Sequence, residues 1–137
     1  TPILKHLLYF FILFCGLQLV HAGDGIAFTS TTFDHVVTKA KTQGKLVFLD
    51  FTASWCMPCK QMDKETFSNK MVGDLVNKHF ISFKVDNDYF WGMDIAEKYN
   101  VNALPTLLVV DADGNEVKRI TGFQSAEKLL SELKPLL

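Results

Sequence analysis

Cys56-Met57-Pro58-Cys59 sets two thiols three residues apart, and Asp50 places a carboxylate six residues ahead of the first. A Cys-x-x-Cys pair supports two chemistries, metal ligation and reversible disulfide formation. Structural zinc wants four ligands, commonly drawn from two such pairs. Beyond residue 22 the sequence offers no second pair and only two histidines, His35 and His79, neither at a ligand spacing. No metal and no cofactor are therefore expected. His35 reads as a surface residue of a helix, and His79 as a helix-end residue favoured by the dipole. Redox chemistry is the stronger reading. The pair follows an apolar strand run and opens a helix, so Cys56 falls where free N–H groups and the macrodipole stabilise a thiolate. Such settings lower a cysteine pKa from ~8.5 to about 3.5–7.5. Cys59, one turn in and more enclosed, suits a resolving thiol. Pro58 occupies the first turn, where its missing N–H is no loss. Trp55 has two readings, an apolar contact surface that shields the sulfur or a plain core tryptophan.

Asp50 is out of character in Leu46-Val47-Phe48-Leu49-Asp50-Phe51, a run that is otherwise apolar. Burial would raise its pKa and let it exchange a proton near neutral pH. Its functional reading is proton acceptor for Cys59 when that thiol attacks a mixed disulfide. A strand-end carboxylate that reaches solvent is the alternative, and the cysteine pair just beyond favours the first. Lys84 either pairs with Asp50 or faces solvent. Leu104-Pro105-Thr106 directly precedes another apolar run. Proline cannot donate in a central ladder, so its place at a strand start is informative. A cis Pro105 beside the sulfurs would expose the backbone of Leu104 to an extended substrate, although spacing alone does not put it there.

Elements must position these groups. Ser30-Thr31-Thr32 caps a helix over residues 33–42, with Phe33, Val36, Val37 and Ala40 on one face and Gln43-Gly44 at its end. Residues 46–51 form a strand buried on both faces, and residues 52–55 turn into Cys56. A helical pattern runs from Pro58 to about His79, interrupted and recapped at Ser68-Asn69. A strand at 81–86, a helix at 89–99 and a strand at 106–110 follow. A hairpin turn at 111–115 leads to a strand at 116–121 and a closing helix at 125–136 capped by Ser125. The expected order is β-α-β-α-β-α-β-β-α, which puts a strand ahead of the first helix. The fold class is α/β, with a central mixed β-sheet and helices on both faces.

A chain of 137 residues suits one domain with a real core. Its hydrophobic content, 48%, is high, and much of the excess sits in the first twenty residues. Lys5-His6, an apolar run over residues 7–20 and Val20-His21-Ala22 match a secretory signal peptide. A spanning helix needs about 20 apolar residues, and this run is shorter and contains Gly16 and Gln18. The expected division is a signal peptide at 1–22 and one domain at 23–137. Export across the inner membrane into the periplasm follows, with an uncleaved membrane anchor as the alternative. Lipid attachment at Cys15 is disfavoured by the bulky Phe14 before it. Setting aside Lys5 leaves 13 of the 14 Lys and Arg against 15 Asp and Glu, a net charge of −2. No clustered cations suggest nucleic-acid binding. The two remaining cysteines are too few for a structural disulfide framework.

The stretch from Asp50 to Lys60 resembles the thioredoxin active-site segment, Leu104-Pro105-Thr106 resembles its cis-proline loop, and Gly122 the glycine of its last strand. Together these span almost all of residues 26–137. The resemblance implies a thioredoxin-like fold in which Cys56 attacks, Cys59 resolves, Asp50 assists and Pro105 faces the substrate. A narrower likeness, in Lys60, Thr66-Phe67-Ser68, Val72 and Ile120-Thr121-Gly122-Phe123, is to the C-terminal periplasmic domain of the disulfide reductase DsbD and its stand-alone relatives. Departures stand beside it. Met57 replaces the usual glycine, Thr52 stands where many thioredoxins have tryptophan, and Tyr89-Phe90-Trp91-Gly92 is unusually aromatic. The function implied is a monomeric thiol–disulfide oxidoreductase acting on protein thiols and disulfides with a redox partner protein. Reductant is the leading direction, since Pro58 beside Cys59 leans that way by resemblance. A thiol oxidase or isomerase using the same site, and a non-catalytic binding module, are the alternatives.

Overall fold

Strand β1, Leu46–Thr52, is the axis of the molecule, buried along its whole interior because its side chains alternate between two packed faces. The computed structural model describes residues 23–137; the segment expected to be a signal peptide lies outside the described residues. The elements run α1 (Phe33–Gln43), β1, α2 (Met57–Glu65), α3 (Lys70–His79), β2 (Phe80–Asp86), α4 (Phe90–Lys98), β3 (Thr106–Val110), β4 (Glu116–Thr121), α5 (Ala126–Leu133) and a 3-10 turn at Lys134–Leu136. The sheet order is β2-β1-β3-β4. β1 pairs parallel with β2 and antiparallel with β3, and β3 pairs antiparallel with β4. This is the mixed sheet expected, with helices on both faces.

Alternation along β1 decides what lies where. Val47, Leu49 and Phe51 pack with Val36 and Ala40 of α1 and Ala96 of α4 on one face. Phe48 packs with Met62 of α2, Val72 and Val76 of α3 and Leu129 and Leu133 of α5 on the other. Phe48 is fully buried, with edge-on contacts to Phe67 and Phe80, and burial of such a ring contributes about 1.5–3 kcal/mol. By the same period of two, Asp50 points to the Phe48 side, toward α2 and α3.

Caps fall where the sequence sets them. Thr32 accepts from the His35 N–H, Asn69 from those of Met71 and Val72, and Ser125 from that of Lys128. Asn69 is the break that divides the long helical pattern into α2 and α3. The closing helix ends three residues early, at Leu133, and continues as a 3-10 turn. Pro135 explains this, because it has no N–H for an α-helical bond and its ring crowds the preceding turn.

The strand expected ahead of the first helix is absent among the described residues. The segment before α1 instead runs across the surface of the second face. Ile26 N–H donates to Phe67 O, Ala27 N–H to Asn77 Oδ1, and Thr29 N–H to Ser82 O. Its hydrogen bonds thus go mainly to the joint between α2 and α3 and to a helix side chain, and a sheet edge receives a single one.

Candidate active site

Cys56 and Cys59 are joined in a disulfide, with Cα atoms 5.3 Å apart. β1 delivers the chain to them through a tight turn in which Cys56 N–H donates to Ala53 O. Cys56 is the N-cap of α2: its backbone is extended, and its Sγ accepts the Cys59 N–H at 3.3 Å. One of the free N–H groups of the helix start therefore points at that sulfur, and the helix dipole adds positive potential there. Reduction of the disulfide would leave a thiolate on Cys56 stabilised by both effects.

Exposure does not separate the two sulfurs as the sequence suggested. Cys56 is 3% exposed and Cys59 2%, because Ala53 and Leu104 pack over the bonded pair. What distinguishes Cys56 is its cap position. Leu104 thus lies against the disulfide, half-buried, and the Leu104–Pro105 peptide bond is cis. Pro105 is buried, with its carbonyl accepting the Gly122 N–H at 2.8 Å. Trp55 is 71% exposed, so the core reading fails. Met57, on the other side of Cys56 in sequence, is equally open at 69%.

Asp50 is 2% exposed, which removes the solvated alternative. The parallel register sets it opposite Lys84, and Lys84 Nζ lies 2.7 Å from Asp50 Oδ2. The same ammonium is 2.6 Å from Asp63 Oδ1 and sits over the rings of Phe28 and Phe67, 4.6 and 5.2 Å from their centroids. Asp63 stands four residues after Cys59 on α2, one turn along the same face. A carboxylate–ammonium–carboxylate bridge therefore links β1 and β2 to α2, the helix that begins at the cysteine pair. Asp50 Oδ1 is buried and finds no hydrogen-bond partner among the described residues.

Burial raises the Asp50 pKa above the usual carboxylate range, and the attraction and hydrogen bond from Lys84 only partly offset it. Burial would lower the Lys84 ammonium, but the Asp50 and Asp63 carboxylates outweigh it and raise its pKa. Lys84 thus stays charged, and Asp50 holds a proton more readily than an ordinary carboxylate.

Two groups escaped the sequence reading. Asp63 is the second carboxylate on Lys84, and its spacing from Cys59 on one helix was the available signal. Asp88 accepts the Ser54 N–H at 2.8 Å and so pins the turn before Cys56; nothing local in the sequence announces that contact. His35 lies exposed on α1 and His79 in the last turn of α3, both as expected.

A family model described as a thioredoxin-like domain matches residues 33–136. The thiol:disulfide interchange protein DsbD of Yersinia pestis (strain Pestoides F) is 39% identical over 98 residues, covering 69% of this chain and 16% of that protein. The chain therefore corresponds to a small part of that longer relative. A thioredoxin H-type of Fagopyrum esculentum is 42% identical over 93 residues, covering 66% of this chain and 72% of that one. The crystal structure of the oxidised C-terminal domain of Neisseria meningitidis DsbD superposes with a TM-score of 0.63 at 27% identity, covering 77% of this chain and 95% of that chain. With this fold carrying a Cys-x-x-Cys disulfide at the start of a helix, the chain belongs to the thioredoxin-like disulfide oxidoreductases.

Proposed function

We propose that this protein reduces disulfides in other polypeptides outside the cytoplasm, acting as a monomeric dithiol carrier. The observation that carries the reading is Cys56 Sγ at the cap of α2, receiving the Cys59 N–H. In the reduced protein the Cys56 thiolate attacks a client disulfide, forming a mixed disulfide and releasing one client thiolate. Cys59 then loses its proton to Asp50 and attacks Cys56 Sγ. The Cys56–Cys59 bond forms and the second client thiolate leaves. Two electrons have passed to the client, and a redox partner protein returns two to the carrier. Trp55, Leu104 and Pro105 form the client-facing surface in this reading, since Trp55 is exposed beside Cys56 and Leu104 packs on the pair.

Direction rests on the reduction potential. Equilibration with a glutathione buffer is expected to give a value near about −270 mV, as for a reductant; a value near about −120 mV would mark an oxidant. Catalysed reduction of insulin with dithiothreitol separates either enzyme from a non-catalytic binding module, which would leave the insulin rate at background.

The compartment rests on residues 1–22, where a charge, a short apolar run and small residues at the end support export and cleavage after Ala22. N-terminal sequencing of the exported protein is expected to begin at Gly23. Recovery of the uncleaved chain from membranes would favour the anchor instead.

A further inference from the structure

Two exposed aromatic segments meet beside the cysteines. Trp55 follows Ser54, whose N–H is held by Asp88, and Tyr89 follows Asp88. A second tie, Asn87 N–H to Thr52 O at 2.8 Å, fixes the same junction. Beyond it, Tyr89 and Trp91 stack with centroids 6.2 Å apart, and Trp91 also contacts Phe83 of the core. Phe90 is 87% exposed, and Met93, one turn on along α4, is about half exposed. The start of α4 is pressed onto the end of β2: a Cβ on Gly92 would collide with Asp86 O. These side chains are thus presented by a fixed backbone. Large apolar side chains gathered this way mark interaction surfaces, where rigid aromatic residues supply most of the binding energy.

We propose that Trp55, Phe90 and Met93 form a docking surface for an extended apolar segment of the client polypeptide, next to its reactive disulfide and bearing a basic residue. The inference rests on the disulfide-exchange reading and names the client that reading leaves open. Continuity with Cys56 is the first argument, because an occupant of this surface is in place to bring its sulfur to the cysteine. Charge is the second. Asp86 closes β2, Asp88 lies in the loop after it, and Asp94 shares the Phe90 face of α4. Hydrogen bonds from Ser54 hold the Asp88 carboxyl below the usual range, so it remains anionic. On α4 the nearest cation, Lys98, is at the far end with Nζ over Phe33 and Tyr99; Lys60, after Cys59, is the cation on the α2 side. A second copy docking by symmetry would set these carboxylates against themselves, and an anionic bilayer would be repelled. A basic, apolar segment meets neither obstacle.

The test uses the reduced full chain with three disulfide peptides of one backbone, whose cysteine is flanked by Phe-Leu-Lys, Ser-Gly-Lys or Phe-Leu-Glu. Neutral 2-hydroxyethyl disulfide serves as the small substrate. The Phe-Leu-Lys peptide is expected to have a KM about tenfold below either other peptide. Phe90→Ser is expected to abolish that preference, Phe90→Leu to keep it, and both to react with 2-hydroxyethyl disulfide at the wild-type rate. Equal KM values for the three peptides, or a preference that survives Phe90→Ser, would overturn the docking surface while normal turnover of the small disulfide left the exchange reading intact. Failure to reduce the small disulfide as well would overturn both. Self-association, or binding to phosphatidylcholine vesicles, that is lost in Phe90→Ser while the peptide KM values stay unchanged would assign the surface to those occupants and overturn the proposal.

Discussion

Cys59→Ser is expected to accumulate a stable mixed disulfide between Cys56 and its client, whereas Cys56→Ser forms none. The first step needs only the Cys56 thiolate, and the second cannot proceed when Cys59 carries no sulfur. Each single variant is expected to lower turnover by roughly 10³-fold or more, the scale of losing a nucleophile or its essential partner. The order of attack is the sensitive part of this prediction. Both sulfurs are equally buried in the oxidised protein, so accessibility gives no reason to prefer either. The preference comes from the helix start, where Cys56 Sγ already receives an N–H and lies at the positive end of the dipole. Non-reducing electrophoresis and mass mapping of the trapped species read the result. Trapping by Cys56→Ser through Cys59 would reverse the assigned roles.

Asp50→Asn is expected to slow the second step and leave the first nearly unchanged. Removing a general base costs about 10²–10⁴-fold, and here the lower end or less applies, because water can take the proton in its place. Rapid-mixing kinetics on a pre-formed mixed disulfide isolates that step. The defect should shrink as pH rises, because a larger share of Cys59 is already thiolate. Stability gives an independent readout. Burial raises the Asp50 pKa in the folded state, above about 3.9 in the unfolded chain. The folded protein therefore binds this proton more tightly. Stability from that preference is complete below the unfolded value and is lost as pH climbs through the raised folded value. Above that range Asp50→Asn should be more stable than the wild type; the attraction to Lys84 is already contained in the net upward shift. Urea unfolding of both oxidised proteins across the acid-to-neutral range measures this. Identical resolution rates together with parallel stability–pH curves would remove Asp50 from the mechanism.

The chemistry was legible because it is local. Two cysteines three residues apart, after an apolar strand and with proline between them, define a helix-start dithiol from the chain alone. Asn69, Gly44 and the Asp111 to Asn115 turn are likewise short-range signals, since caps and turns act over a few residues. Asp50 was visible as a charge out of place, but its surroundings were not. Whether Lys84 meets it depends on the parallel register of β1 with β2, and whether Asp63 joins depends on how α2 crosses the sheet. The expected first strand failed for a related reason. A short apolar stretch becomes a strand only if an edge accepts it, and here the α2–α3 joint and Asn77 take most of its hydrogen bonds.

Trp55 shows the same division on the surface. Its type and position allowed either core or contact surface, and only the tertiary path of the turn, pinned by Asp88 from 34 residues away, turned it outward. That same bond ties the residue before Tyr89 to the turn that leads into Cys56. By itself the sequence determined the fold class, the cysteine pair and the helix that begins at it, because the signals for each are short-range patterns along the chain. The tertiary structure alone decided the proton environment of Asp50 and the exposure of Trp55, because both depend on segments that only register and packing bring together.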